Sequence, residues 1–243
     1  LRIRYFWQEG SGSPANPRNQ GILKSRGDWR SFLDSDDIWY PEKLECVYNK
    51  IHVCSETDVI CHNERHVNIR NKKTQLISYP RKSNDMYKSM LLDGNCLSPS
   101  ATSIRKTFLT RYDMYFNESS DFAIVEDYDL WLNLAKHGAV ISFINKTLGD
   151  YNVDGENMIS DLDRYINNLG ILYKYHAYFV QDFEPIKDKV YKLLMVKIVF
   201  LKLKQNIKRK SYYEVLIQFI TILRKSPTCL PRKVIEQVLR SFV

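Results

Sequence analysis

The sequence predicts an α/β domain followed by an all-helical C-terminal region, and three observations support this. Apolar strand-like segments alternate with helical segments up to residue 155, which is the pattern of a sheet covered by helices. From residue 160 onward the hydrophobic periodicity is helical throughout. The charge changes as well: residues 1–160 carry 20 Lys and Arg against 21 Asp and Glu, whereas residues 161–243 carry 16 against 7. We therefore predict two domains, residues 1–155 and a basic region of residues 156–243.

Hydrophobic periodicity, together with glycine and proline, delimits the elements of the first domain. Pro17 is tolerated in the first turn of a helix, and Gly27, Gly94 and Gly138 follow predicted helices and end them. The predicted elements are, in chain order, a strand at 2–7, a helix at 16–26, a strand at 29–33, a helix from 41, strands at 59–62 and 67–69, a turn at 71–73, a helix at 84–92, a strand at 101–104, a helix at 125–137, and strands at 140–144 and 148–153. The apolar face expected of the helix from residue 41 is formed by Leu44, Val47, Tyr48 and Ile51.

Two patterns characterise the basic region. The first is an apolar helical stripe made of Tyr212, Leu216, Phe219, Ile220 and Leu223. The second is a set of lysines within an apolar stretch, mostly on one arc of a helical wheel with Lys202 outside it: Lys189, Lys192, Lys197, Lys204 and Lys208. This second pattern fits a helix lying on anionic lipid, and it fits equally a helix packed on its own domain with a solvated basic face.

Composition restricts the class of protein. With 44% hydrophobic and 26% charged residues, a chain of 243 residues is long enough to bury a core. We expect no membrane-spanning helix, because no run of about 18 apolar residues exists, and no signal peptide, because the N-terminus has no apolar segment. The chain does not begin with Met, so we expect a fragment of a longer protein. The five cysteines show no Cys-x-x-Cys spacing, which favours a reducing, cytoplasmic compartment.

The most informative segment is an acidic loop, residues 34–37, that directly follows the strand predicted at 29–33. Asp34, Asp36 and Asp37 place three negative charges within four positions, and such charges repel one another. A divalent cation relieves the repulsion, and clustered oxygen ligands suit Mg²⁺ or Mn²⁺. Loops at the carboxyl ends of strands are also where α/β sheets bind ligands. The loop therefore predicts a metal site that carries a diphosphate, which supplies the remaining oxygen ligands.

The acidic loop has three other possible interpretations. A calcium-binding EF-hand is rejected, because it requires a ligand and then glycine where Ile38 and Trp39 stand. The nucleophile loop of a haloacid dehalogenase-type phosphatase also has Asp-x-Asp after a strand, but the small Thr or Val expected next and the other motifs of that class are not found. A solvated turn that caps the helix at Pro41 remains open, since Asp is common in turns and Asp37 would favour the helix dipole.

Three further segments carry candidate chemistry, each weak alone. Glu126 and Asp127 begin a predicted helix, where the dipole keeps carboxylates ionised, and such a carboxylate accepts a hydroxyl proton as that hydroxyl attacks. Capping explains acidic residues at that position equally well. Arg18, which precedes Asn19, has the side chain to pair with phosphate, although a surface arginine is the simpler interpretation. Residues 95–102 form a small polar loop of the kind that lines sugar sites.

Other chemistries have little support in the sequence. Cys61, His62 and His66 include zinc-ligand types, but no further ligand cluster accompanies them. A nucleophilic Cys–His pair remains an alternative, although the sequence contains no motif for an oxyanion-binding loop. No phosphate-binding P-loop and no dinucleotide fingerprint is present. The net charge of +8 permits nucleic-acid binding, but no recognised binding motif supports it, so we expect no nucleic-acid partner.

The order and spacing of these segments resemble a family 2 glycosyltransferase with the GT-A fold. The resemblance extends from about residue 9 to residue 152. Each motif is weak alone, whereas all of them in register form a strong signal. The motifs that carry it are residues 12–22 (GSPANPRNQGI), 27–44 (GDWRSFLDSDDIWYPEKL), 98–105 (SPSATSIR), 117–118 (NE) and 126–132 (EDYDLWL).

The resemblance implies a role for each site residue. Asp34 and Asp36 would hold Mg²⁺ or Mn²⁺ on the donor diphosphate, with Asp36 the principal ligand. Asp127 would be the general base, and Glu126 would support it. The acceptor hydroxyl would then attack the anomeric carbon in a single, inverting displacement. The remaining implied contacts are Arg18, Asn19 and Ser35 to the donor, and Ser100 and Trp131 to the acceptor.

The resemblance also implies a cellular role. The expected donor is a nucleotide-diphosphate sugar, with UDP-sugar the first choice, and the expected acceptor is a saccharide or lipid-linked saccharide. Family members with a basic helical tail often build bacterial surface polysaccharides at the cytoplasmic face of the membrane, so the resemblance implies a cytoplasmic protein whose residues 185–210 contact the inner membrane face. The family's first strands have no counterpart here, so we predict an N-terminally truncated GT-A sheet with an incomplete nucleotide site. The alternative is a non-catalytic remnant domain that serves as an interaction or membrane-surface module.

Overall fold

The computed structural model forms two units, Leu1–Ser160 and Asp161–Val243. It describes residues 3–10, 12–80, 83–153, 161–180, 183, 185–211, 213–214, 217–218 and 220–221. The first unit is a mixed sheet with helices packed on it, as the sequence predicts for an α/β domain. The described part of the second unit is helical.

The first unit contains six strands and five helices in the part that the structure describes. The strands are β1 (Trp29–Ser31), β2 (Ile38–Trp39), β3 (Val59–Asn68), β4 (Lys73–Ile77), β5 (Thr102–Arg105) and β6 (Ile141–Asn152). The helices are α1 (Ala15–Lys24), α2 (Lys43–Val53), α3 (Met86–Asp93), α4 (Lys106–Arg111) and α5 (Glu126–Lys136), with a short 3₁₀ turn at Ser120–Phe122.

The sheet is organised around two long central strands. The strand order is β1-β5-β3-β6-β2, and β4 pairs with the outer half of β3. Strands β3 and β6 run parallel along most of their length, and every other pairing is antiparallel. The first six residues of β3 are all buried, and β3 is paired with β5 on one side and β6 on the other in the middle of the sheet. This core fixes the ends of β1 and β6, which carry the candidate site.

Pairing between β3 and β6 explains the largest difference from the predicted strands. The sequence indicates two short strands at 59–62 and 67–69 and two more at 140–144 and 148–153, but each pair is one continuous strand. Polar residues such as Asn63 and Asn145 interrupt the apolar pattern. Their side chains hydrogen-bond to each other, with Asn63 Nδ2 donating to Asn145 Oδ1 at 2.9 Å. The register shifts there, from His62 opposite Ile144 to Asn63 opposite Thr147, and the ladder continues past this bulge.

Two local predictions require correction, and three short elements were not predicted. Residues 3–7 form no strand, and Ile3, Tyr5 and Trp7 are exposed there. Helix α2 does not bury its predicted apolar face: Val47 is buried, whereas Leu44 and Tyr48 are exposed. The helix instead buries a lysine, which is described below. Strands β2 and β4 and helix α4 were not predicted, because they are short and their polar residues give no periodic signal.

The second unit begins with α6 (Leu162–Tyr175), continues through a π-helical turn at His176–Val180, and contains α7 (Lys187–Lys208). Asp161 caps α6 by accepting the backbone N–H of Arg164 at 3.0 Å. Apolar residues of both helices are buried, among them Ile166, Leu172 and Leu194. Among the described residues, no helix is long and apolar enough to cross a membrane. The predicted stripe around residues 212–223 lies largely outside the described residues.

Candidate active site

The acidic loop leaves β1 and is held rigidly by backbone hydrogen bonds. The N–H of Asp34 donates to Ser100 Oγ at 3.0 Å, and the N–H of Asp37 donates to the carbonyl of Asp34 at 3.1 Å. The second bond closes a tight turn in which Ser35 and Asp36 are the exposed central residues. Asp36 therefore faces solvent, and it makes no hydrogen bond or ion pair to any other residue that the structure describes.

The third carboxylate of the loop turns inward. Asp37 is buried, and its Oδ1 accepts the backbone N–H of Asn152 at the end of β6 at 2.9 Å. Burial raises the pKa of Asp37 to about 6, although hydrogen bonds from Ser100 and Asn152 oppose that rise. Asp37 thus links the acidic loop to β6, while the other two aspartates remain at the surface of the loop.

Arg18 on α1 bridges two acidic segments that are far apart in sequence. Its Nη2 donates to both carboxylate oxygens of Asp34, at 2.7 and 2.8 Å, and its Nη1 donates to Glu126 Oε1 at 2.9 Å. The guanidinium group lies 5.3 Å from the centre of the Phe116 ring. Burial lowers the pKa of Arg18, but its two carboxylate partners more than compensate, so the net pKa is raised and the group stays charged.

This bridge changes the electrostatic argument made from the sequence. Repulsion within the acidic loop was expected to require a divalent cation, but Arg18 already neutralises Asp34 without one. The side chain of Arg18 is only 12% exposed, and both terminal nitrogens are engaged. Arg18 therefore has no free terminal nitrogen with which to make the expected contact to the donor. In this structure its side chain joins the acidic loop to α5.

The second acidic segment begins helix α5. Glu126 is buried and pairs with Arg18, whereas Asp127 is half-buried and accepts the backbone N–H of Tyr128 through Oδ1 at 2.7 Å. Burial raises the pKa of Glu126, and Arg18 opposes that rise. Burial and the neighbouring Glu126 raise the pKa of Asp127 to about 7. A carboxylate with a pKa near neutrality is suited to accept a proton at physiological pH.

The backbone immediately before α5 is strained. Ile124 has a φ of +73°, a conformation that β-branched residues rarely adopt and that costs of order 1–3 kcal/mol. Ile124 lines the same cleft as Glu126 and Asp127. No pattern in the sequence signals this strain, because isoleucine at that position is consistent with an ordinary apolar residue before a helix.

A cleft of about 1040 Å³ brings these groups together. Six of the predicted site residues line it: Arg18, Asp34, Ser35, Asp36, Glu126 and Asp127. Its wall also includes residues of β1 and helix α1, Pro99 of the polar loop predicted at residues 95–102, and Tyr151, which the sequence did not indicate. The acidic loop and the carboxylates of α5 therefore face one cavity, although about 90 residues separate them.

Three predicted contact residues do not reach the cleft. Asn19 is buried and joins α1 to residues 116–118, accepting the N–H of Phe116 and donating to its carbonyl, both at 2.8 Å. Ser100 is buried, and its Oγ accepts the backbone N–H of Asp34 in the acidic loop. Trp131 is fully buried and packs edge-on against Phe116 at 5.9 Å. Each was expected to contact a substrate, but each supports the site from within the core.

A buried lysine also supports the loop, and sequence reasoning missed it. Lys43 is fully buried on α2, and its Nζ donates to the carbonyl of Ser100 at 3.0 Å. The same ammonium group lies 3.3 Å from the centre of the Trp39 ring, and Trp39 Nε1 donates to the same carbonyl at 2.7 Å. Burial lowers the pKa of Lys43 to about 7. The Pro-x-Lys-Leu spacing at residues 41–44 was the available signal.

The residues considered for zinc make other contacts. His62 is buried, and its Nδ1 is hydrogen-bonded to the carbonyl of Asn63 at 2.8 Å, while His66 packs against the ring of Tyr151. Burial raises the pKa of the Cys61 thiol, which makes it a poor nucleophile. Within the described part of the chain, no group of three or more His, Cys, Asp or Glu residues is arranged to hold a metal ion.

Comparisons with known proteins agree with this architecture. Residues 1–113 match the family model described as Glycosyl transferase family 2. The protein named uncharacterized glycosyltransferase RC0461 of Rickettsia conorii is 26% identical over 225 residues, covering 90% of this chain and 35% of the relative. Glycosyltransferase GlyG of Streptococcus pneumoniae is 32% identical over 62 residues, covering 26% of this chain and 20% of that protein.

A solved structure has the same fold. The crystal structure of S. aureus TarS 1-349 superposes with a TM-score of 0.57 at 20% sequence identity, covering 96% of this chain and 65% of that one. At this level of identity the match shows the fold alone. The chain spans about a third of the length of the Rickettsia relatives that it matches over most of its own length.

Proposed function

Since residues 1–113 of this chain match the family model of glycosyl transferase family 2, we propose that the cleft described above transfers a sugar from a nucleotide-diphosphate sugar to an acceptor hydroxyl. The observation that carries this proposal is the meeting of the Asp34–Asp36 loop and the Glu126–Asp127 pair in one cavity, joined by Arg18. The Asp34–Asp36 loop is suited to bind a metal-bound diphosphate, and the Glu126–Asp127 pair is suited to accept a proton. Sugar transfer from such a donor needs both functions.

The residues of the acidic loop fit a metal ion that arrives with its diphosphate. Asp36 is exposed and unengaged among the described residues, and Asp34 shares its oxygens with Arg18. Mg²⁺ is commonly held by one or two carboxylates together with substrate phosphates rather than by an all-protein cage, and this loop offers that number. When bound by Asp36 and Asp34, Mg²⁺ or Mn²⁺ would supply stabilisation for the negative charge of the leaving diphosphate.

The protein's own groups account for the remaining chemistry. The acceptor hydroxyl gives its proton to Asp127 as its oxygen forms a bond to the anomeric carbon, and the bond from that carbon to the diphosphate oxygen breaks. A single displacement inverts the configuration at the anomeric carbon. Glu126 and Arg18 hold the N-terminus of α5 against the acidic loop, so the base and the diphosphate site keep a fixed relation.

The finer assignments follow the family resemblance. We propose a UDP-sugar donor, a saccharide or lipid-linked saccharide acceptor, and a role in bacterial surface polysaccharide synthesis at the cytoplasmic face of the membrane. Helix α7 exposes Lys189, Lys192 and Lys204 together with Leu193, a combination suited to contact of residues 185–210 with anionic lipid.

Donor binding by the 243-residue chain tests the proposal. UDP-, GDP- and dTDP-sugars are titrated calorimetrically with and without Mn²⁺, and the anomeric configuration of any product is read by NMR. We expect Mn²⁺-dependent binding of one donor class, its loss in Asp36→Ala, and an inverted product. Asp121→Ala removes another exposed carboxylate, outside the cleft lining, and should change nothing.

Two results would contradict the proposal. If no donor binds with or without Mn²⁺, the chain is better described as a non-catalytic remnant domain that serves as an interaction module. If the chain instead releases phosphate from simple esters in an Asp36-dependent reaction, the acidic loop belongs to a phosphatase.

A further inference from the structure

Tyr151 is a cleft residue for which the chemistry above has no role. It lies one residue before the end of β6 and lines the cavity together with Asp36 and Asp127. No hydrogen bond joins its hydroxyl group to another residue in the described ranges. An aromatic hydroxyl at the wall of a polar cavity is suited to contact a ligand there.

Both neighbours of Tyr151 in the chain are fixed. Asp150 accepts two hydrogen bonds from Arg65, at 2.8 and 2.6 Å, and a third from the Tyr40 hydroxyl at 2.5 Å. On the other side, the N–H of Asn152 donates to Asp37 of the acidic loop. The backbone that carries Tyr151 is therefore attached directly to the loop proposed to bind the diphosphate.

The ring of Tyr151 is also held. In the parallel ladder its residue lies opposite His66 of β3, and the two rings pack with centroids 4.7 Å apart and planes tilted by 33°. An aromatic ring packed in this way loses little conformational freedom when a ligand arrives. The side chain is accordingly preorganised to present its hydroxyl group to the cleft.

The surrounding charges keep this hydroxyl protonated. Burial raises the pKa of Tyr151, and the carboxylates of Asp37, Asp127, Asp34 and Asp36 raise it further. At neutral pH the phenol is therefore a hydrogen-bond donor. Near the acidic loop, the strongest acceptor that a nucleotide sugar offers is an anionic diphosphate oxygen.

We propose that the Tyr151 hydroxyl donates a hydrogen bond to a diphosphate oxygen of the sugar donor. This inference rests on the proposed function and adds a substrate-contacting residue to it. The attachment of Tyr151 to the acidic loop through Asp37 favours the diphosphate over the acceptor hydroxyl, which has to lie next to Asp127. Because charge on the diphosphate grows as the sugar leaves, this hydrogen bond strengthens during transfer.

Inorganic pyrophosphate with Mn²⁺ is the probe, since it tests the diphosphate site without requiring a nucleoside pocket. Its affinity for the 243-residue chain is measured calorimetrically for wild type and Tyr151→Phe, which removes the hydroxyl and keeps the ring. The matched control is Tyr48→Phe on α2, because Tyr48 packs against His52 in a similar pair at 4.1 Å outside the cleft lining. Circular dichroism confirms that both variants fold.

We expect Tyr151→Phe to weaken Mn²⁺-dependent pyrophosphate binding about 10- to 100-fold, the effect of losing one hydrogen bond to a charged group. The affinity for Mn²⁺ alone should not change, and Tyr48→Phe should bind as wild type. Equal pyrophosphate affinity in wild type and Tyr151→Phe would overturn this inference and leave the proposed function in place. If wild type binds no pyrophosphate with Mn²⁺, the proposed diphosphate site is wrong, and the inference is overturned with it.

Discussion

Replacing Arg18 by Met should destabilise the first unit by an amount that depends on pH. Arg18 is the counter-charge of Glu126, whose side chain is only 5% exposed, and of Asp34, which is 30% exposed. Removing one partner of a buried ion pair costs about 3–5 kcal/mol, whereas an exposed pair contributes about 1 kcal/mol or less. Since Arg18 pairs with one partner of each kind, we expect a loss of about 3–6 kcal/mol in the free energy of unfolding at pH 8.

The pH dependence follows from Glu126. Burial raises its pKa in the folded chain, and Arg18 offsets part of that effect, so the pKa rises further in Arg18→Met. A carboxyl group whose folded pKa lies above its unfolded value destabilises the fold when the pH is above the unfolded value, about 4.3. Below that pH the group is protonated in both states. The loss in Arg18→Met should therefore shrink to about 1 kcal/mol near pH 4.

Urea denaturation at pH 8 and pH 4 measures both quantities. The matched control is Arg65→Met, because Arg65 forms a pair of similar geometry with Asp150 but its side chain is 44% exposed, so its loss should be below about 1 kcal/mol at both pH values. A loss in Arg18→Met that equals the control, or that is the same at both pH values, would refute the argument that a buried Glu126 depends on Arg18.

Three further predictions follow from the pKa shifts and the packing. Burial raises the pKa of Asp127 to about 7, and a general base must be ionised to accept a proton, so the rate of sugar transfer should rise with pH to a plateau above about pH 7. In the same pH–rate series, Asp127→Asn should lower that plateau by about 10²–10⁴-fold. Burial lowers the pKa of Lys43 to about 7, so between about pH 7 and 10 the lysine is neutral in the folded chain and takes up a proton on unfolding. The free energy of unfolding measured by urea titration should therefore rise with pH across that window, and Lys43→Met should not show this rise. A Cβ at Gly149 would lie 2.7 Å from the carbonyl of Ile38, so thermal denaturation of Gly149→Ala should show a loss of about 1–3 kcal/mol, whereas Gly170→Ala on α6, in open space, should gain about 0.5–1 kcal/mol.

The parts of the fold that the sequence predicts well are those with local signals. The helices at 15–24, 86–93 and 126–136 lie within two or three residues of their predicted bounds, because proline, glycine and acidic residues mark their ends. The predicted α/β class and the helical second region also rest on local hydrophobic periodicity, and the structure confirms both. Strand lengths were predicted poorly, since the continuity of β3 and β6 depends on their pairing with each other, and pairing is not encoded within either segment.

In the candidate site, too, residues with a local sequence signal could be predicted, whereas contacts between distant residues could not. Asp34, Asp36 and Asp127 could be singled out because charge clusters after a strand and at a helix start are visible in the sequence. The bridge made by Arg18 and the inward turn of Asp37 could not, because each depends on which distant residue lies opposite. The family resemblance implies acceptor contacts for Ser100 and Trp131, whereas in this structure both are buried: Ser100 Oγ accepts the N–H of Asp34, and Trp131 packs against Phe116.

The central claim is that the acidic loop binds the donor diphosphate while Asp127 accepts the proton of the acceptor hydroxyl, and one comparison tests it most directly. Mn²⁺-dependent binding of the nucleotide-sugar donor and its turnover are measured side by side in wild type, Asp36→Ala and Asp127→Asn. We predict that Asp36→Ala loses binding and turnover together, whereas Asp127→Asn binds the donor as wild type does and loses turnover alone. Unchanged turnover in Asp127→Asn, or donor binding that survives in Asp36→Ala, would contradict the account.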